Sequence, residues 1–466
     1  MENKKVFIFL PDGGGLRNFV FSFFKEIGDS MDFEILYWNN CSYPLKEKLD
    51  YNEIKIGTRE INPLTPLYSK ARKDIELNIS KKKFNDDVYE SYKFPLNYNG
   101  FKNCLKSIFI FFLIKFYSTE KGIVKIKKKI EKLERKTNRY QICKQQLKEH
   151  NPSLVFCSNQ RNTQGISALL AARDLGIKTV CFIQSWDNVP KAMQVFETDF
   201  YFVWSDLMKE ELLKYYSFIK SEQVFVTGTP QFEPHYNQKL IQSREVFFER
   251  YGLDIEKRYI CFSGDDETTS PLDQYYLEDL ANVVRSLNSK GENIGIIYRK
   301  CPVDTTKRYD NVIDSNKDII KVLDPIWDYN TKQEDLAMPT REDSAMLVNV
   351  CEHSEFVTNV CSSTVFDFVV HNKACVYYNY EQPQLKKGIR DIGQNYNYVH
   401  FRSMPSKEAV VFCNDKKDLE YLVKQVLNSK VSNVVECLKW YEIVVGKSPI
   451  KSSENIWKAI CEIIKY

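Results

Sequence analysis

Short apolar runs rich in β-branched and aromatic residues recur along this chain, and each run ends at turn residues. Five occupy the first half, at residues 6–10, 154–157, 179–183, 200–204 and 224–226. Five more follow, at residues 259–262, 294–298, 319–323, 356–360 and 374–378. Continuous apolar runs of this length are typical of parallel strands that are buried on both faces.

Helical patterns separate these strands. One covers residues 165–175, with Gly176 placed as a C-cap, and another covers residues 207–216, with Asp206 near its start. Alternation of strand and helix predicts an α/β fold with a doubly wound parallel sheet, and the pattern occurs twice. A chain of 466 residues is longer than a domain with a single hydrophobic core usually is. We therefore expect two Rossmann-like domains that face a cleft.

The boundary between the two domains is predicted near residue 240, after the turn-rich segment 227–230. This gives an N-terminal domain at residues 1–240, a C-terminal domain at residues 241–440 and a C-terminal helix at residues 441–466. An insertion is expected at about residues 85–145, where the strand pattern is interrupted.

Composition excludes several classes of protein. The formal charge of +4 is small for this length, so net charge does not indicate a nucleic-acid-binding protein. The thirteen cysteines are scattered without a C-x-x-C pair, as is typical of reduced core residues in the cytoplasm. The apolar run at residues 6–10 is too short for a signal peptide, so we expect a cytoplasmic protein.

The segment 105–117 is an almost continuous apolar run with four Phe, and a lysine-rich stretch follows it. The run is too short to cross a bilayer, which takes about 20 apolar residues. Aromatic residues beside lysines suit a helix that lies in an anionic membrane surface. A buried helix followed by a solvated charged helix fits the same pattern, so both interpretations stay open.

A glycine-rich turn follows the first predicted strand, in the sequence Pro11-Asp12-Gly13-Gly14-Gly15-Leu16-Arg17. The three glycines allow a ligand to approach the backbone closely, although a simple tight turn would also use them. Asp12 lies at the carboxyl end of a parallel strand, where it could accept a proton from a substrate hydroxyl. Arg17 is a further candidate for ligand contact.

Two more polar loops follow strands of the first half. The first includes Asn159 and Arg161, whose side chains suit a hydroxyl-rich ligand. The second includes Trp186, Asp187 and Asn188, with an indole ring for a sugar face and polar groups for its hydroxyls. Asp187 therefore competes with Asp12 as the catalytic base.

In the second half, two loops offer groups for a phosphate. Gly264 and Asp265 follow the first strand there, and their loop could supply backbone amides. Arg299 and Lys300 follow a later strand, and the guanidinium of Arg299 is suited to phosphate oxygens.

The most specific feature is a strand that ends at Ser362-Ser363-Thr364 and opens a helix containing Asp367. Hydroxyls and free amides at a helix start can hold a diphosphate, and Asp367 lies one turn on, positioned for a ribose or sugar hydroxyl. The chain then returns at once to a strand, which completes a strand-helix-strand unit of the kind that binds nucleotides.

These residues resemble a known family. Residues 343–380, with the hydroxyl run, Asp367 and Lys373, resemble the donor site of GT-B glycosyltransferases of the bacterial surface-polysaccharide type, which are related to CDP-glycerol glycerophosphotransferases. The Trp186 loop with Lys191, and residues 203–232, resemble the end of the acceptor domain of the polysaccharide enzymes. The resemblance covers residues 150–380.

The resemblance implies a metal-independent enzyme without a cofactor, whose C-terminal domain holds the donor. By this resemblance Ser362, Ser363 and Thr364 would bind phosphate, Arg299 would neutralise the leaving diphosphate, and Asp367 would bind the ribose. The dispersed histidines agree with the absence of a metal site. The expected reaction is transfer of a sugar from a nucleotide sugar to a hydroxyl of a lipid-linked glycan, in capsule or lipopolysaccharide synthesis at the inner membrane face.

Other functions fit the same fold. A CDP-alcohol phosphotransferase is one, although relatives often carry His where this chain has Cys301-Pro302 after Lys300. A nucleotide-sugar 2-epimerase would act on a free nucleotide sugar. A non-catalytic scaffold would bind partners without turnover.

Overall fold

The computed structural model describes residues 4–328, 338–385, 391–430 and 433–465. Its contacts divide the chain into two compact units. Unit 1 comprises Met1–Pro230 together with Lys451–Tyr466, and unit 2 comprises Gln231–Ile450. The predicted boundary at residue 240 lies inside unit 2, and the predicted C-terminal segment 441–466 contributes to both units.

The strands are β1 (Lys5–Leu10), β2 (Glu34–Asn39), β3 (Glu53–Lys55), β4 (Leu154–Cys157), β5 (Lys178–Phe182), β6 (Phe200–Val203), β7 (Val224–Val226), β8 (Arg258–Ser263), β9 (Ile294–Arg299), β10 (Ile320–Leu323), β11 (Phe356–Asn359), β12 (Ala374–Tyr378) and β13 (Val411–Cys413). Unit 1 holds a seven-stranded sheet in the order β3-β2-β1-β4-β5-β6-β7. Unit 2 holds a six-stranded sheet in the order β10-β9-β8-β11-β12-β13.

The α-helices are α1 (Gly14–Phe19), α2 (Phe24–Ser30), α3 (Leu45–Leu49), α4 (Thr65–Phe84), α5 (Phe101–Tyr117), α6 (Glu120–Glu134), α7 (Asn138–His150), α8 (Gly165–Asp174), α9 (Asp206–Tyr215), α10 (Arg244–Tyr251), α11 (Asp273–Ser289), α12 (Asp310–Ser315), α13 (Arg341–His353), α14 (Thr364–Val369), α15 (Gly393–Tyr396), α16 (Leu419–Leu427), α17 (Val434–Val445) and α18 (Ser452–Lys465).

All strand pairs within both sheets are parallel. The order reverses between β1 and β4 in unit 1 and between β8 and β11 in unit 2. These orders confirm the predicted fold class, two doubly wound parallel-sheet α/β domains.

Aromatic packing joins α18 to unit 1. The ring of Trp457 stacks on Phe24 with centroids 4.7 Å apart, and its Nε1 donates to the Phe24 carbonyl at 2.7 Å. Gly28 makes this approach possible, because a Cβ there would lie 2.4 Å from the Trp457 ring. The last helix of the chain therefore completes the core of the first unit.

The predicted insertion at about residues 85–145 contains α5, α6 and most of α7, and α5 contains the Phe-rich segment. Ile110 and Leu113 are buried on one face of α5, which contacts α4. The opposite face is exposed: Phe101 is 79% and Phe116 is 74% accessible. A buried core helix would not expose these rings, so α5 is a surface helix. Among the described residues, no helix is long and apolar enough to cross a membrane.

Candidate functional site

The point where the strand order reverses in unit 2 brings together the loops that follow β8 and β11. Ligands of doubly wound sheets bind at the carboxyl ends of the strands at such a point. The β8 loop contains Gly264 and Asp265, and the β11 loop contains Ser362, Ser363 and Thr364. The sheet topology therefore brings together two of the predicted donor-binding segments.

A chain of hydroxyl groups connects these two loops. Ser263 Oγ lies 3.2 Å from Thr364 Oγ1, which lies 2.9 Å from Ser362 Oγ. Ser362 and Thr364 are half-buried and Ser363 is exposed. We call Ser263, Ser362, Ser363 and Thr364 the hydroxyl cluster. Ser263 was absent from the predicted site, although its position at the end of a strand beside Gly264 could have indicated it.

The backbone of the β11 loop is fixed from both sides. Cys361 has a φ of 49°, in the left-handed region that a non-glycine residue rarely adopts. Asn359 Oδ1 accepts a hydrogen bond from the Ser362 amide at 2.9 Å, and the Tyr377 hydroxyl donates to the Ser362 carbonyl at 2.7 Å. These contacts position the backbone that carries Ser362, Ser363 and Thr364.

Asp265 is held on the inner side of its loop. Its amide donates to Asp273 Oδ2 at 3.1 Å, and its carbonyl accepts from the Tyr309 hydroxyl at 3.3 Å. Burial, reinforced by the nearby Asp273 and Asp266 carboxylates, raises the pKa of Asp265 well above its ordinary value. The Gly264 amide donates to the Arg299 carbonyl at 2.9 Å, so this backbone group is engaged within the sheet edge.

Arg299 forms a buried ion pair. Its Nη2 lies 2.6 Å from Asp343 Oδ1, and its Nη1 donates to the Leu323 carbonyl at 3.4 Å. Asp343 also accepts from Trp327 Nε1 at 2.7 Å. The sequence predicted Arg299 as a ligand of the leaving diphosphate, whereas the structure directs its guanidinium toward Asp343. Lys300 is the more accessible of the two predicted cations.

Asp367 belongs to a relay of polar side chains. Its Oδ1 lies 2.9 Å from His235 Nε2, His235 Nδ1 lies 3.0 Å from His371 Nε2, and His371 Nδ1 lies 2.7 Å from Glu352. Burial lowers the pKa of His371, and the hydrogen bond with Glu352 opposes this change. Asp367 was predicted to bind a ribose, and the structure gives its carboxylate this internal partner. Sequence reasoning missed the relay because it treated the histidines as dispersed.

In unit 1, Asp12 accepts three hydrogen bonds at the point where the strand order reverses. They come from the Gly14 amide at 3.0 Å, Asn159 Nδ2 at 2.8 Å and Asn162 Nδ2 at 2.7 Å. The predicted Asp12 and Asn159 therefore meet across β1 and β4. Of the other candidates in these loops, Arg161 is exposed and Arg17 is half-buried.

Two glycines of this turn, Gly14 and Gly15, lie close to neighbouring side chains. A Cβ at Gly14 would lie 2.2 Å from Gln184 Nε2, and a Cβ at Gly15 would lie 2.4 Å from Ser158 Oγ. Gly13, also predicted as a ligand contact, precedes α1 with an ordinary helical φ of −63°. Contacts within unit 1 thus account for two of the three glycines.

The loop after β5 surrounds Asp187. Its carboxylate accepts from the Ser185 hydroxyl at 2.6 Å and Asn188 Nδ2 at 2.9 Å, and it forms an ion pair with Lys191. Trp186 and Asn188 are buried at 5% and 2% exposure. The indole predicted to receive a sugar face is therefore packed inside the unit, while Asp187 stays partly accessible.

Among residues 4–328, 338–385, 391–430 and 433–465, no three His, Cys, Asp or Glu side chains are grouped so that they could hold a metal ion. Asp266, which follows Asp265 in the β8 loop, is engaged by its own loop. Asp266 accepts from the Thr268 amide at 2.8 Å and the Thr269 hydroxyl at 2.8 Å. Burial alone would raise the pKa of Asp266, but these hydrogen bonds together lower it below its ordinary value.

No protein-family model and no curated protein matches the sequence. Solved structures match over the whole chain. A Listeria monocytogenes protein with a provisional assignment as a UDP-N-acetylglucosamine 2-epimerase has a TM-score of 0.56 at 11% identity, over 99% of this chain and 97% of its own. The UDP complex of MnaA from S. aureus has a TM-score of 0.54 at 11% identity, with 99% and 97% covered. A glycosyltransferase from Rickettsia africae has a TM-score of 0.50 at 10% identity, with 100% and 99% covered.

These likenesses establish the fold. The matches cover nearly the whole chain and confirm the GT-B fold, which is the fold part of the predicted resemblance. At identities near one in ten, the comparisons give the architecture alone, and the relationship to CDP-glycerol glycerophosphotransferases stays a prediction.

Proposed function

We propose that this protein is an enzyme that acts on a nucleotide sugar, with the nucleotide diphosphate bound by the hydroxyl cluster of unit 2. The observation that carries the proposal is the row of Ser263, Thr364 and Ser362 hydroxyls across the point where the strand order reverses. Hydroxyl donors at this position suit phosphate oxygens, and the exposed Ser363 adds a fourth hydroxyl.

The structural neighbours support UDP as the first nucleotide to test, since MnaA from S. aureus was solved with UDP. They also favour 2-epimerisation over glycosyl transfer as the reaction, because two neighbours named for a UDP-N-acetylglucosamine 2-epimerase have TM-scores of 0.56 and 0.52, against 0.50 for the glycosyltransferase. Epimerisation inverts C2 of the sugar. The step balances if a base removes the C2 proton, the electron pair forms a C1–C2 double bond and UDP leaves C1. The reverse addition then returns UDP to C1 and a proton to the opposite face of C2, so the reaction needs a base and an acid. Asp12 and Asp187 are the proposed groups in unit 1.

Glycosyl transfer to a lipid-linked acceptor is the second candidate, and the exposed apolar face of α5 favours it. In that reaction an acceptor hydroxyl attacks the anomeric carbon, its proton passes to Asp12 or Asp187, and the nucleotide diphosphate departs. An enzyme with such an acceptor would work at an anionic membrane surface on the cytoplasmic side. The lysines that follow α5 suit that surface.

An exchange experiment distinguishes the two reactions. The protein would be incubated with UDP-N-acetylglucosamine in D₂O, with and without a lipid-linked glycan acceptor, and the sugar would be followed by NMR. Deuterium at C2 together with the 2-epimer supports epimerisation, whereas acceptor-dependent UDP release without deuterium supports transfer. Loss of the observed reaction in Asp12→Asn or Asp187→Asn would identify the base. If neither deuterium nor UDP release appears, the enzymatic proposal fails.

A further inference from the structure

Unit 1 contains a cavity of about 550 Å³ on the side of the inserted helices. Its walls come from α4, α6, the segment that follows the Asp187 loop, and the end of α9. The apolar part of the lining is extensive, with Ile79, Phe84, Ile123, Val124, Val189 and Phe218. Val124 and Phe218 are 51% and 45% exposed, so the apolar lining continues to the protein surface.

The charged part of this lining has an excess of cations once its ion pairs are counted. Five cations and four carboxylates line the cavity. Three of the carboxylates are ion-paired, two of them with lining cations, which leaves Lys83, Lys121 and Lys128 against Glu120. Glu76 pairs with Arg72 at 2.8 Å, Glu131 with Arg173 at 2.7 Å, and Glu197 with Lys127 at 3.0 Å. Lys121 and Lys128, which also line the cavity, are exposed on α6. The opening therefore favours an anion.

The position of Lys121, Val124 and Lys128 on α6 supports a single binding surface. Residues at i, i+3 and i+7 lie on one face of a helix, so an apolar side chain stands between two cations. Lys125 and Lys129 project from the same helix, are exposed, and lie outside the cavity lining. This distribution provides a matched control for the charge of the helix.

Two elements beside the cavity, α5 and the Asp187 loop, indicate how a ligand would enter it and which catalytic candidate it would approach. α5, which packs beside α6, exposes its Phe-rich face to solvent. Val189 and Pro190 of the cavity wall directly follow the loop of Asp187, which pairs with Lys191. An amphiphile held in the cavity would thus lie between an apolar surface helix and a candidate catalytic carboxylate.

We propose that this cavity binds a single-chain lipid phosphate, with the hydrocarbon chain among the apolar residues and the phosphate at Lys121 and Lys128. The proposal rests on the glycosyl-transfer candidate, because it gives the lipid-linked acceptor a binding site in unit 1. The volume falls in the range of small-ligand cavities, which is about 300–1,000 Å³.

The test is calorimetric titration of the full chain with farnesyl phosphate below its micelle concentration, with farnesol and inorganic phosphate as separate titrants. We expect saturable binding of farnesyl phosphate to one site, weaker by about tenfold or more in Lys121→Glu/Lys128→Glu, which loses two charge-assisted contacts. Val124→Trp should weaken binding by filling the opening. Lys125→Glu/Lys129→Glu carries the same charge change and should bind as the wild type does.

Three results would overturn the proposal: absence of saturation, equal weakening by the two lysine pairs, or equal binding of farnesyl phosphate and either of its two parts. The UDP-induced rise in melting temperature, measured on the same samples, distinguishes failure of the lipid site from failure of the nucleotide site. A protein that binds UDP without farnesyl phosphate refutes the lipid site alone.

Discussion

Asp367 Oδ1 lies 2.9 Å from His235 Nε2, so the acidic residue in the helix of the strand-helix-strand unit has an internal partner 132 residues away in the chain. His371 and Glu352 extend this contact to the surface of unit 2, where the Glu352 side chain is 40% exposed. The relay fixes α14, and with it the hydroxyl cluster at the start of that helix. A ligand hydroxyl would have to share Asp367 with His235.

The relay predicts a pH dependence of stability. Burial lowers the pKa of His371 in the folded state, whereas an unfolded histidine titrates near about 6.5. Between these pKa values the unfolded chain binds a proton that the folded chain does not, so stability is lost as the pH falls below about 6.5. His235, Glu352 and Asp367 are the titratable groups that face it through this relay.

His371→Asn removes this titration and should make the protein less sensitive to acid. The measurement is the melting temperature of the wild type and the variant between about pH 7.5 and pH 5.5, on either side of the ordinary histidine pKa. The melting temperature of the wild type should fall more than that of the variant as the pH falls. A constant difference across this range would show that His371 does not titrate as its burial implies.

Arg299→Met should destabilise the protein through the loss of its buried ion pair. Removing one partner leaves the buried Asp343 carboxylate without its charge partner, at a cost of about 3 kcal/mol or more. Arg285→Met breaks an exposed pair with Asp318 and should cost less than about 1 kcal/mol. Urea denaturation measures both. If Arg299→Met keeps its stability and selectively loses UDP affinity, the predicted phosphate role of Arg299 would be correct.

Gly15→Ala should cost more stability than Gly14→Ala. The new Cβ at Gly15 would meet Ser158 Oγ at 2.4 Å and Leu10 Cδ2 at 2.9 Å, an overpacking worth about 1–3 kcal/mol. At Gly14 the nearest atom is the terminal amide of Gln184, which can rotate away. Thermal melts compare the two variants, and Ser158→Ala should partly rescue Gly15→Ala. Equal losses would indicate that the turn, rather than its contacts, requires glycine.

The exposed face of α5 should bind anionic vesicles. Phe112→Ser/Phe116→Ser removes two exposed rings, each of which contributes about 1.5–3 kcal/mol when fully buried, so co-sedimentation with anionic vesicles should fall steeply. Val303→Ser/Val435→Ser removes exposed apolar side chains from unit 2 and should bind like the wild type. If the two double variants bind equally, α5 is not the membrane contact.

The fold was largely predictable because the buried strands carry continuous apolar runs. All ten predicted runs are strands in the structure, and the helices at residues 165–175 and 207–216 are α8 and α9. The three strands that sequence reasoning missed are β2, β3 and β13. β3 is a three-residue edge strand, Glu-Ile-Lys, and lacks the apolar signal of buried strands. β2 and β13 do carry apolar runs, at residues 35–38 and 411–413, which sequence reasoning overlooked.

The candidate site was predictable only where sheet topology alone brings residues together. The hydroxyl cluster and the contact of Asp12 with Asn159 follow from loops at the carboxyl ends of neighbouring strands. The partners of Arg299 and Asp367 are 44 and 132 residues distant, and no local pattern indicates them. Local composition could likewise not tell that Trp186 is packed inside, because an indole suits a core as well as a sugar.

The most direct test of the central claim is the melting temperature of the protein with and without UDP, for the wild type and for Ser363→Ala/Thr364→Val. The same measurement with GDP, CDP, CMP and TDP in place of UDP identifies the nucleotide that the protein prefers. If the hydroxyl cluster of unit 2 binds the diphosphate, UDP should raise the melting temperature of the wild type by several degrees, and the variant should lose this rise while it stays folded. An equal rise in the variant, or no rise with any of the nucleotides, would contradict a diphosphate site at Ser362–Ser363–Thr364.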